Sequence, residues 1–166
     1  MERITIKNSI KDTLLTQYQI CIEKITKAIE NVSDKIWSEL KNDWSYGWNA
    51  YHIIEGMDFY SSKSPVDFKW GRRAGIDWEK DSKEVSTQKI QNITKKQLHD
   101  YLNDLKEKIS TNLQNTSEND FLQQDGFKWF KSALERHLYS LRHAEWHLGE
   151  ANKSLREYGD QRMKWK

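Results

Sequence analysis

Residues 141–155 read LRHAEWHLGEANKSL, and the organisation of the chain is best read outward from them. Gly149 is the only residue here that weakens a helix, and a lone glycine is tolerated. On a helix His143 and His147, four residues apart, share one face. Two imidazoles so placed can hold one metal ion, as in the metalloprotease pattern HExxH. Ala144 follows His143, so the glutamate that acts as general base in that pattern is missing. A bare HxxxH pair is also what a solvated face or a satisfied core pair looks like.

Toward the N-terminus the same helix is expected to begin near Phe121 or Gly126 and to run on to Tyr158. Residues 127–158 would span about 48 Å at the helical rise per residue. Phe127, Phe130, Leu134, Leu138, Leu141, Leu148 and Leu155 make its apolar stripe. His137 falls on the leucine side, roughly 120° around the axis from His143, and is no natural third ligand on this helix. His143 and His147 share a polar strip with Ser140, Glu150 and Ser154, which suits a solvated face or the wall of a water-accessible cleft.

A third histidine comes from earlier in the chain. A helix is expected from about Asp43 or Ser45 to Ser61, through WSYGWNAYHIIEGMDFY. Steps of 100° put Trp44, Trp48, Glu55 and Phe59 on the side of His52. An inward histidine is usually a hydrogen-bonded core residue, and its two ring nitrogens need partners. A metal would satisfy one, with Glu55 or a backbone carbonyl on the other.

The remaining segments frame these two. Ser9 is placed to cap a first helix to about Val32, with Ile10, Leu14, Tyr18, Cys21, Ile22, Ile25 and Ile29 on its stripe. Cys21 on that stripe reads as a small buried hydrophobe. Residues 31–43 read as a connection with a turn of helix. Residues 62–92 hold the only proline, Pro65, with Gly71 and Gly75. Thirty residues is long for a connection, and long loops are often functional. Phe68, Trp70, Trp78, Arg72 and Arg73 make this one either a lid offering arginines to an anionic group or a surface crossover pinned by its aromatics. Thr94 and Gln97 form a capping box for a helix to about Gln114. His99 lies off its stripe and residues 115–120 read as a polar turn. The fold expected is all-α: a four-helix bundle, with a long crossover between helices two and three, forming one domain over residues 1–166.

Composition narrows the function classes. Charged residues make up 31% of the 166-residue chain and mean hydropathy is −0.96, yet eight tryptophans rule out a disordered reading. The net charge of +2 is too small for a nucleic-acid binder. One cysteine allows neither a disulfide framework nor a CxxC zinc site. MERITIKNSIKD has no apolar signal core and no run approaches a membrane span, so a cytoplasmic location is expected, with neither membrane nor nucleic acid as partner.

With His52 after tryptophan-rich sequence, the pair His143 and His147, and the flank LRHAEWHLGEAN, the chain resembles the DinB-like (YfiT-like) family of metal-dependent bundle proteins. The helical plan fits nearly the whole chain; the specific match is confined to those two stretches. The resemblance implies that His52, His143 and His147 bind one divalent ion, Zn or Ni first, with Fe, Mn or Cu as alternatives. Trp48, Glu55, Glu150, Arg72 and Arg73 become candidates for the surroundings of the site. Trp146, bulkier than the motif leads one to expect, would narrow the cleft. Glu55 and Glu150 also raise a di-iron reading, but that site needs carboxylates from four helices, and only HxxE twice is present.

Two functions remain open. One, which the resemblance implies, is a metal-dependent transferase or hydrolase acting on a small molecule and using a low-molecular-weight thiol cosubstrate. The other is a non-catalytic ligand-binding or stress-response bundle with a structural or vestigial metal. A homodimer fits either.

Overall fold

The computed structural model describes residues 9–41 and 44–157; the side chains of Leu40 and Lys41 are left out of the description. Asp43, the earlier of the two expected starts of the second helix, Tyr158, the expected end of the last, and most of the N-terminal stretch lie outside these residues.

Helix α1 (Ile10–Asn31) is capped by the Ser9 side chain, which accepts from the Asp12 N–H. Helix α2 (Asp34–Ser38) follows, then a small antiparallel pair, β1 (Leu40–Lys41) and β2 (Trp44–Ser45). Ser45 accepts from the Trp48 N–H and so starts α3 (Tyr46–Ser61), which carries His52. Helix α4 (Lys83–Gln91) and α5 (Lys95–Gln114) come next, and the Thr94–Gln97 capping box of α5 is complete. Helix α6 (Glu118–Phe121) leads to α7 (Ala133–Glu157), which carries His143 and His147. Apart from β1 and β2, the regular structure of the described residues is helical. No helix among them is long and apolar enough to cross a membrane.

The four long helices share one apolar core. Helix α3 packs on α7 and α5, and α1 packs on the same two. Leu14, Tyr18, Ile25 and Ile29 of α1 meet Ile53, Ile54 and Met57 of α3, Leu98, Leu105 and Leu113 of α5, and Leu148 and Leu155 of α7. This packing sets His52 against His143 and His147.

Three expectations are corrected. The last helix starts at Ala133, not near Phe121 or Gly126. The Gly126 N–H donates to the Lys63 carbonyl instead of a helical partner, and the Phe127 N–H donates to the Asp125 side chain. Phe127 and Phe130 then form a second apolar cluster with Phe59. The residue before that start is Ser132, whose Oγ accepts from the Glu135 N–H while the Glu135 carboxylate accepts from the Lys131 N–H. Secondly, the leucine stripe of α7 faces inward only in part: Leu148 and Leu155 are buried, and Leu134 and Leu141 pack against the core from partly buried positions. Leu138 is 55% exposed, whereas Arg136, His137, Ser140 and Ala144 are buried. Two of these polar side chains find partners: His137 Nδ1 lies 2.9 Å from the Tyr18 hydroxyl, and Arg136 pairs with Asp125 at 2.7 Å. Thirdly, residues 62–92 are not one long loop. They include α4, capped by Ser82, and a 3-10 turn at Arg72–Ala74.

The connection between α3 and α4 is pinned at both of its aromatic groups. Trp78 meets Trp48 edge-on at 6.1 Å, and Trp70 and Phe68 pack on Phe59 at 4.8 and 5.0 Å. Between them Gly71, at φ +82°, donates its N–H to the buried carboxylate of Glu55 at 2.6 Å. A side chain at position 71 would be strained by that φ and would meet Trp78 Nε1 at 2.7 Å, so the turn requires glycine.

Candidate metal centre

His52 enters from the middle of α3 and His143 and His147 from successive turns of α7. One potential ligand atom from each lies within 4.8 Å of the other two. Ring centroids are 5.2 Å apart for His52 and His143, 4.9 Å for His52 and His147, and 4.6 Å for His143 and His147. All three are half-buried, so solvent reaches the cluster while the core closes it from behind.

Close approach of α3 and α7 depends on Gly56, one turn beyond His52. A Cβ there would lie 3.0 Å from Cε1 of His143 and 3.1 Å from its Nδ1. Tyr139, one turn before His143, stacks on its ring at 6.1 Å, and Tyr60 flanks the same ring at 6.1 Å. On the other side Trp44 meets His52 edge-on at 5.3 Å.

The electrostatics suit a cation. Burial pushes the His52 imidazole down to about 4, with His147 and His143 adding to the effect. Burial, then His147, also lowers His143. Both rings are therefore neutral at pH 7 and present lone pairs rather than protons. His147 Nδ1 lies 2.6 Å from Glu150 Oε2, which leaves Nε2 for a ligand and orients the ring as carboxylate–histidine pairs do in metal sites. His143 Nδ1 is buried with no hydrogen-bond partner among the described residues. Around a tetrahedral ion, nitrogens each about 2.1 Å from it stand about 3.4 Å apart. The three ligand atoms, within 4.8 Å of one another, thus have to close by up to about 1.4 Å, which side-chain rotation can supply. The three histidines fit one divalent ion.

The other expected site residues divide. Glu150 is brought to the cluster through His147. Glu55 is not: one of its oxygens accepts from the Tyr51 hydroxyl at 2.7 Å and from Gly71, and burial raises its pKa. Trp48 stacks on Tyr51 at 5.1 Å and touches Trp44, one ring behind His52. Arg73 is committed to Asp104 at 2.6 Å and lies 4.8 Å over the Tyr101 ring. Arg72 lines a cleft of the α3–α4 connection instead. Trp146 is 70% exposed, so it faces solvent and does not narrow the cleft. Sequence reasoning missed Gly56, Tyr60 and Tyr139. Tyr139 had a readable signal, since it precedes His143 by four residues; Gly56 and Tyr60 acquire their roles only through the packing of α3 on α7.

Searches of family models, curated proteins and solved structures return no match to this chain.

Proposed function

We propose that the chain is a metal-dependent enzyme of the DinB-like kind, built on a four-helix bundle with a crossover between α3 and α5, and acting on a small molecule with a thiol cosubstrate. The observation that carries this reading is the convergence of three histidines at a solvent-facing point, with one of them oriented by a carboxylate. A divalent ion held by His52, His143 and His147 would supply Lewis acidity and lower the pKa of a water or thiol.

The chain's own groups define what surrounds that chemistry. Glu150 fixes the proton on Nδ1 of His147 and, being 51% exposed, can exchange it with solvent. Trp44, Tyr60 and Tyr139 wall the cluster with aromatic surface and limit water on those sides. The nucleophilic thiol has to come from outside. Cys21 is buried in the core, and burial, then the Glu145 charge, pushes its thiol up to about 12.

The test is elemental analysis of tag-free protein, as purified and after chelation and refilling. About one divalent ion per chain is expected. No uptake of Zn or Ni would reject the reading. A melt of the chelated protein separates the two classes of function: a chain that stays folded keeps the enzyme reading, and one that unfolds on chelation makes the metal structural.

A further inference from the structure

The α3–α4 connection holds a cleft that the histidine cluster does not use. Its volume is about 780 Å³, within the range of small-molecule sites. Phe68, Trp70 and Trp78 give it aromatic walls, Ile76 an apolar floor, and Lys69 and Arg72 its cationic side. Trp70 is 38% and Trp78 50% exposed, so each ring is partly open to solvent while it packs against a core aromatic, Phe59 for Trp70 and Trp48 for Trp78.

Charge pairing around this cleft is unequal. Asp77 is taken by Lys80 at 2.9 Å and by the Glu79 N–H, which removes one acid and one base from the balance. Glu79, the other acid lining the cleft, makes no side-chain ion pair among the described residues. Neither Arg72 nor Lys69 makes a side-chain ion pair or hydrogen bond among the described residues. Arg73, the next residue, is already spent on Asp104 and Tyr101. The turn that presents Arg72 is rigid. Gly71 is nailed to Glu55, the Ala74 and Ile76 N–H groups both donate to the Gly71 carbonyl, and the Gly75 N–H donates to that of Arg72.

From this geometry we infer that the cleft of the α3–α4 connection is a binding site for a planar aromatic anion, its ring held against Trp70 and Trp78 and its carboxylate or phosphate held by Arg72 with Lys69. A tryptophan face takes a flat ring irrespective of its substituents. A guanidinium takes a carboxylate or a phosphate through paired N–H donors, so both headgroups share one chemistry. The site stands independently of the metal reading, since none of its residues is a ligand in the histidine cluster.

The test titrates metal-free, chelated protein with 2-naphthoate, phenyl phosphate, the neutral 2-naphthalenemethanol and inorganic phosphate, by calorimetry and tryptophan quenching. At least one aromatic anion is expected to bind, and the tighter of the two identifies the headgroup. The neutral probe and inorganic phosphate should each bind about tenfold more weakly or worse. Arg72→Gln, an exposed substitution, should weaken the anion by a similar factor, and Arg73→Gln should not. Failure of both aromatic anions at millimolar concentration overturns the inference, as does equal affinity for the neutral probe or for Arg72→Gln. Repeating the titration with metal-loaded wild type and with His147→Ala guards against confusion of sites. Binding that appears only with metal and vanishes in His147→Ala places the anion on the histidine cluster, which overturns this inference and leaves the metal reading standing.

Discussion

Helix α7 carries histidines at two places, and the structure treats them in opposite ways. His137 is 4% exposed, its Nδ1 answered by the Tyr18 hydroxyl, with Arg136 beside it on the same helix. His143 and His147, one and a half to three turns on, stand half-buried at a face open to solvent, joined by His52 from α3. Burial keeps both His137 and His143 neutral. What separates them is the answer to the ring nitrogens. At His137 a protein hydroxyl completes the bond and the ring becomes part of the core. At the other place three rings converge, each with a nitrogen within 4.8 Å of the other two, and Nδ1 of His143 has no hydrogen-bond partner among the described residues.

The contrast is broken most directly by metal uptake. His147→Ala should lose the stoichiometric ion altogether, while His137→Gln should keep it, both read by elemental analysis after refilling. Equal uptake by wild type and His147→Ala would remove the cluster from consideration.

Stability should divide along the opposite line. Leu148, 4% exposed in the core, should cost about 2–5 kcal/mol on truncation to alanine, in denaturant melts of metal-free protein. Leu138→Ala should change stability by about 0.5 kcal/mol or less, because that side chain already sits in solvent. His147→Ala should fall near Leu138→Ala, since the open cluster adds little to a core that closes behind it. A loss as large as that of Leu148→Ala would make the histidines part of the core.

A smaller effect tests how His147 is held. Glu150→Gln keeps the shape but weakens the bond to Nδ1, and should lower metal affinity about 10–100-fold in competition with a chromogenic chelator. Unchanged affinity would mean that the carboxylate does not orient the ring.

The smallest effect is a pH dependence, and it belongs to His137. Burial, then Arg136, depresses its folded pKa from 6.5 to about 3. Below 6.5 the unfolded chain binds a proton that the folded chain refuses, so stability falls with acid. The contribution is whole above pH 6.5, declines as pH drops, and is exhausted near pH 3. In metal-free protein, His137→Gln should therefore flatten the slope of stability against pH between 6.5 and 4 by one proton's worth. An unchanged slope would show that His137 is protonated in the fold.

Much of this was legible locally. The caps Ser9, Ser45 and Thr94 set the starts of α1, α3 and α5, because a cap acts over three residues of its own chain. His143 and His147 share a face through helix geometry alone. The start of α7 was also written locally, in the Ser132 and Glu135 spacing, but the apolar period of Phe127 and Phe130 masked it. Those two phenylalanines belong to a cluster with Phe59, some seventy residues away in the chain.

The sequence by itself determined that the chain is helical, where three of its long helices begin, and which histidines could face one another if α3 met α7. Only the tertiary structure decided that they do meet, with Gly56 making room for the His143 ring. It decided as well that Glu55 pins the α3–α4 connection through Gly71, and that Arg73 is paired while Arg72 has no ion pair among the described residues. The physical reason is one of range. Capping and periodicity act within a few residues, so the chain states them directly. The partner of a buried carboxylate or a ring nitrogen comes from another element, and it is fixed by which surfaces close on each other when the apolar core is buried.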